Sequence, residues 1–184
     1  MRRILLLVSV AFFGLLLSSC LTVEKKQYTF EFTGKNSGKL TIKYINIMSN
    51  VDSAGVTEVE DFDDLNNNYI NGNKIETSYP DAKNITKRLF EENGVLCGEV
   101  TMDFPDLAAA RLYQMDKKSP YMFYASSVDG ETYVESNGTY GGEIMPVVIF
   151  PAKLKKLTIT TSVSKSGQDN FVSLLGEYRK SLKK

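Results

Sequence analysis

Tyr28-Thr-Phe-Glu-Phe-Thr-Gly-Lys-Asn-Ser-Gly-Lys-Leu-Thr-Ile-Lys-Tyr44 carries the plainest pattern in the 184-residue chain. Tyr28, Phe30 and Phe32 alternate with Thr29 and Glu31, and beyond Gly34–Gly38 the residues Leu40, Ile42 and Tyr44 alternate with Thr41 and Lys43. Successive side chains of a strand point to opposite faces, so each half has one apolar and one polar face. Two such halves joined by a Gly/Asn/Ser turn predict a β-hairpin with one buried side. At Ile45-Asn-Ile47 the alternation changes phase. A β-bulge near Tyr44, or the end of the strand, accounts for that change.

A second hairpin is expected over 85–104. Asn93-Gly94 is a strong two-residue turn signal there, and Leu96, Gly98, Val100, Met102 and Phe104 share one face. Cys97 falls on the opposite, mixed face with Glu99 and Thr101. Between the hairpins, Thr57-Glu-Val-Glu60 has the form of a capping box. Phe62, Leu65 and Tyr69 follow at helical spacing until Asn71-Gly72, which predicts an amphipathic helix. Pro105–Tyr113 reads as a short helix with Asp106 as its cap. Further strands are expected at Tyr121–Ser126, at Glu131–Glu135 after the Asp129-Gly130 turn, at Val147–Phe150 between two prolines, and at Leu157–Val163. From Asp169 onward, Phe171, Leu174, Leu175, Tyr178 and Leu182 form an apolar stripe at helical spacing, with basic residues gathered in the last turn. The expectation is an α+β fold: a mainly antiparallel sheet built from β-hairpins, with two or three packed helices including an amphipathic C-terminal one.

The start of the chain is of a different kind. Arg2 and Arg3 precede an apolar run of 14 residues, Ile4 to Leu17. A bilayer-crossing helix takes about 20 residues, so a secretory signal is the better fit than a permanent span. Leu17-Ser18-Ser19-Cys20 closes the run and resembles the lipobox of bacterial lipoproteins, a Leu and two small residues directly before an obligatory Cys. The resemblance covers residues 1–20. It implies that a diacylglyceryl group joins the Cys20 sulfur, that a signal peptidase cuts between Ser19 and Cys20, and that the new amino terminus receives a palmitate-type acyl chain. Several chains, at about 0.8 kcal/mol per buried CH₂, hold a protein firmly on a membrane. In hosts with two membranes, Asp after the lipidated Cys retains such proteins in the inner one; Leu21 stands there instead, so the resemblance favours the outer membrane. The domain organisation expected is a signal peptide over 1–19, a lipidated terminus and tether over 20–27 reaching roughly 25 Å when extended, and a single domain over 28–184.

Taking 19 residues from 184 leaves 165, ample for one domain with its own core. The signal holds two of the 22 basic residues and none of the 22 acidic ones, so the mature chain carries 20 against 22, a net charge of about −2. No basic excess points to nucleic acid. With Cys20 lipidated, Cys97 has no partner for an intramolecular disulfide.

The chain contains no His, which removes the usual general base of serine and cysteine hydrolases and the commonest zinc ligand. Ser162-Val-Ser-Lys165 matches S-x-x-K, and Lys165-Ser-Gly167 resembles a motif of penicillin-binding proteins. Those motifs occupy separate places in that fold, whereas here both share Lys165 at a strand end. Within the acidic run Glu58–Asp64 and beyond it, Asp64-x-Asn66-x-Asn68 has the oxygen spacing that opens a calcium loop, but Tyr69 stands where such a loop needs Gly and Ile75 where it needs Glu. Glu91, Glu92, Glu99 and Asp103 are carboxylates on polar strand faces.

Tyr121, Tyr124, Tyr133, Asn137 and Tyr140, in a Tyr- and Gly-rich stretch, are the binding surface the sequence suggests. The expectation is therefore a lipid-anchored cell-envelope binding module with no catalytic residues, cofactor or metal, held to the membrane by its lipid, with an envelope protein or polysaccharide as partner. A membrane-tethered hydrolase using carboxylate or Ser/Lys chemistry, and a calcium-dependent adhesion protein, are the alternatives.

Overall fold

The computed structural model describes residues 21–50, 57–125, 130–163 and 170–183. In chain order its elements are β1 (Leu21–Phe32), β2 (Gly38–Asn50), α1 (Glu58–Asp64), a π-helical continuation over Leu65–Ile70, α2 (Lys74–Ser78), β3 (Lys83–Glu92), β4 (Val95–Phe104) and β5 (Leu112–Tyr113). There follow β6 (Tyr121–Tyr124), β7 (Thr132–Ser136), β8 (Thr139–Tyr140), β9 (Val147–Phe150), β10 (Lys156–Ser162), β11 (Phe171–Ser173) and α3 (Leu175–Ser181). Seven strands form one sheet in the order β3-β4-β2-β1-β10-β7, with β11 on the far end of β2; four short strands form a second in the order β5-β6-β9-β8. All pairings are antiparallel, and with the helices they make an α+β fold.

Local chemistry explains the main elements. Asn93 and Gly94 both have positive φ, +51° and +77°, the requirement of the tight turn that joins twisted strands β3 and β4. At the start of α1 the Thr57 hydroxyl accepts from Glu60 N at 3.3 Å, while Glu60 accepts from Thr57 N at 2.9 Å, so two orphan donors of the helix start are satisfied. The phase change expected near Tyr44 sits at Asn46, whose φ is +56°. β2 continues past it, and the register with β1 is the same on both sides, Lys25↔Ile45 and Val23↔Ile47. Register survives because β1 changes phase at the facing Glu24, which accepts from Asn46 Nδ2 at 3.0 Å. Lys26, Tyr28 and Phe30 then face inward on one side of this point and Val23 on the other.

Three expectations are corrected. Residues 21–27 are not a tether: they form the first half of β1, paired with β2 from Leu21↔Ser49 and with β10 from Lys25↔Ser162. The thirteen-residue β2 offers backbone groups along its whole length, and Val23 is buried against it. Residues 105–113 form tight turns instead of a helix; Asp106 does cap them, accepting from Ala109 N at 2.9 Å, and Leu112 then enters β5. Phe171–Ser173 is strand β11, and the C-terminal helix starts only at Leu175. Phe171–Ser173 pair with Met48–Asn50 at the end of β2, where Met48 and Ser49 are buried. Residues 1–20 and Asp129 lie outside the described residues.

One face of the large sheet carries the core. Its lower half packs on the second sheet, where Phe30, Phe104, Val148, Phe150, Leu157 and Ile159 are all but fully buried. Aromatic contacts hold the layers together: Phe32 stacks on Tyr121 at 4.7 Å, and Phe123 lies 5.2 Å from Tyr28 and 5.8 Å from Phe30. Its upper half is covered by α1, its π-helical continuation and α3 through Val23, Ile47, Phe62, Leu65, Leu96, Leu174 and Leu175. Tyr44 and Tyr69 touch both clusters. Among the described residues no helix is long and apolar enough to cross a membrane.

Candidate functional site

At the seam between the two halves of the core, the sheet and its helical cover do not meet. Between them lies a half-open cavity of about 320 Å³, within the range of small-molecule sites. The sheet supplies Val23, Lys26 and Tyr28 from β1, Tyr44 and Ile47 from β2, and Gly98 and Val100 from β4. The cover supplies Leu65, Tyr69 and Ile70 from the π-helical segment and Ile75 and Tyr79 from the α2 region. Gly98 makes part of the floor. A Cβ there would lie 3.2 Å from Ile47 Cδ1 and 3.5 Å from Leu89 Cδ2, so any larger side chain must enter the cavity or displace these neighbours.

A polar cluster closes one wall. Glu131, just ahead of β7, accepts from Lys26 Nζ at 2.6 Å, from Tyr28 Oη at 3.0 Å and from Thr161 Oγ1 at 2.7 Å. The Lys26 and Glu131 side chains keep only 20% and 11% of their exposure, and a charge so far from water is tolerable only when paired and hydrogen-bonded. Burial and then the Glu131 charge push the Tyr28 phenol far above its ordinary value, so it stays a hydrogen-bond donor. Tyr44 is moved the same way, chiefly by burial.

Lys87 fastens the cover to the sheet. Its ammonium donates to Gly72 O at 2.7 Å and to both Glu76 oxygens at 2.8 and 3.0 Å, and those bonds hold the Glu76 carboxyl below the usual carboxylate range. Arg111 stands at the cavity edge, donating from Nη2 to Ser78 O at 3.0 Å, its guanidinium 4.5 Å from the Tyr79 ring centre.

The residues suggested by the sequence lie elsewhere. Tyr121 is buried against Phe32 and is no part of a surface, because the inward face of β6 is the one that meets the large sheet. Tyr133 and Tyr140 stack on each other at 4.0 Å, Asn137 bonds to the β10 backbone at Lys156 O and Thr158 N, and Tyr124 is exposed. Ser19, Cys20 and Lys165 lie outside the described residues. The carboxylates Glu91, Glu92, Glu99 and Asp103 are engaged by Arg179, Lys43, Arg88 and Asn84 respectively. Asp61 is buried and accepts from Ser49, while Asp64 pairs with Asn68 along the helix. Among the described residues no three acidic or Cys side chains converge as a metal site. Cys97 is fully buried, and burial raises its thiol pKa.

The cavity residues carried one readable sign. Lys26 has the same parity as Tyr28 and Phe30, so a charged residue sits on a face that is otherwise apolar. Comparison of the chain with protein-family models, with curated proteins and with solved structures returns no match.

Proposed function

We propose that this protein is a lipid-anchored cell-envelope binding module, attached through Cys20, and that the cavity between the large sheet and its helical cover is its ligand site. The observation that carries the reading is the composition of the cavity: an apolar and tyrosine-rich lining with charged side chains set around it, most of them held in ion pairs. A binding role fits its electrostatics better than catalysis does. Glu131, Lys26, Tyr28 and Thr161 satisfy one another, and Tyr28 keeps its proton, so the cluster presents neither a free base nor an activated nucleophile. A volume of about 320 Å³ corresponds to roughly ten waters at ~30 Å³ each, which suits a compact organic molecule.

The test uses 4-phenylbutanamide, a neutral probe of that size, with saturation-transfer NMR on the purified chain. Transfer is expected with the wild type and is lost in Gly98→Leu and in Ile70→Trp, both of which fill the cavity. Equal transfer in all three proteins, each shown to be folded, places the probe elsewhere and removes the cavity as the site.

A further inference from the structure

The charges around the cavity do not cancel. Four basic residues line it, and three have a carboxylate partner: Lys26 with Glu131, Lys87 with Glu76, Arg88 with Glu99. The fourth, Arg111, has none among the described residues; its contacts are the Ser78 carbonyl and the face of Tyr79. One uncompensated cation therefore stands where the cavity meets solvent.

Its backbone is unusual as well. Arg111 has φ of +56°, a region that side-chain-bearing residues rarely adopt. The surrounding turn imposes it: Arg111 N donates to Ala108 O at 2.9 Å and Leu112 N to Leu107 O at 2.8 Å, while Ala109 and Ala110 are buried in the core. Glycine takes this conformation without strain, so packing alone gives no reason for an arginine here. Strain of this kind, held in place by its surroundings, is characteristic of functional positions. Tyr79 covers the guanidinium on one side and Ser78 O takes one of its hydrogens, which leaves the other N–H groups for a ligand.

We infer that Arg111 is the anion-binding residue of the cavity and that the ligand is a small carboxylic acid with an apolar body, its carboxylate on Arg111 and its body among Tyr44, Tyr69, Tyr79 and Ile75. This inference rests on the cavity being the ligand site. A single unpaired cation matches the single charge of a carboxylate, whereas a phosphate monoester brings −1.5 to −2. The planar guanidinium also matches carboxylate geometry.

The experiment titrates the purified full chain, by calorimetry at pH 7.5, with 4-phenylbutyrate and its neutral isostere 4-phenylbutanamide. The acid is expected to bind at least tenfold more tightly than the amide. Arg111→Gln, checked for an unchanged melting temperature, brings the two within about twofold by weakening the acid alone, and Arg111→Lys keeps part of the preference. Equal binding of acid and amide to the wild type overturns the inference, as does a preference that survives Arg111→Gln or a wild type that binds neither probe. If both probes bind equally and Gly98→Leu abolishes both, the cavity stands as the site and the role of Arg111 falls.

Discussion

Tyr28 is where burial and charge meet in one side chain. Its phenol is buried beside the Glu131 carboxylate, and both effects oppose loss of its proton in the folded state. In the unfolded chain the same group titrates near its ordinary pKa of about 10. A group whose folded pKa is raised contributes full stability below its unfolded pKa and loses it as pH rises beyond that point, because the unfolded state then releases a proton that the folded state retains. Urea denaturation at intervals from pH 8 to 12 should therefore show stability falling above about pH 10, with Tyr28 contributing on the order of 1.4 kcal/mol per pH unit. Tyr28→Phe should make that fall shallower by this amount. Identical slopes for the two proteins would show that the proton on Tyr28 is not linked to folding. The inward position of Tyr28 is legible from its alternation with Phe30 and Phe32. Its partner is not, since Glu131 lies 103 residues away and no local pattern joins them.

At the scale of elements, one side chain of β3 ties the Gly72–Ser78 part of the helical cover to the sheet. Lys87, with 10% of its side chain exposed, bonds to Gly72 between the π-helical segment and α2 and to Glu76 within α2. Helices this short are marginal by themselves and persist through packing. Lys87→Met keeps the aliphatic stem and removes all three bonds; because Glu76 is 41% exposed and regains water, the expected loss is about 1–2 kcal/mol. Amide hydrogen exchange should quicken across residues 66–79 while β1, β2 and β4 keep their protection. Acceleration spread evenly over the sheet would mean that the cover and sheet open as one unit. Elements with strong local codes are legible in the sequence: the Thr57 capping box, the Asn93-Gly94 turn, the prolines bounding β9. Elements that depend on a distant partner are not. Phe171–Ser173 has helical spacing yet pairs with Met48–Asn50 of β2, and residues 105–113 have helix-forming alanines that the core draws into a turn. The cavity belongs with the second group, since it is the space left where two coverings of one sheet fail to meet.

For the molecule as a whole, the decisive feature is that β1 begins at Leu21, so the proposed lipid on Cys20 leaves almost no chain between membrane and fold. Leu21 pairs with Ser49, and the β3–β4 turn at Asn93-Gly94 lies at the same end of the sheet, because Ile45 pairs with Cys97 and Val95 with Glu92. The β1–β2 turn is at the other end, separated by the twelve residues of β1, about 40 Å at 3.3 Å per residue. Leu21, Thr22 and Val23 also line the cavity, which places its apolar end on the anchor side. A lipid at Cys20 should thus hold the sheet end-on to the membrane with the cavity near the surface. Single reporters can be placed at Glu92→Cys and Asn36→Cys, both exposed or half-exposed, while Cys97 stays buried and unlabelled. In vesicles containing a headgroup quencher, the reporter at 92 should be quenched several-fold more than the one at 36. In Cys20→Ala both should be unquenched, and incorporation of a labelled palmitate should disappear. Equal quenching at the two sites with the lipid attached would mean that the domain moves freely about its anchor despite the strand that starts beside it. Quenching that persists in Cys20→Ala would mean that something other than this cysteine holds the protein to the membrane.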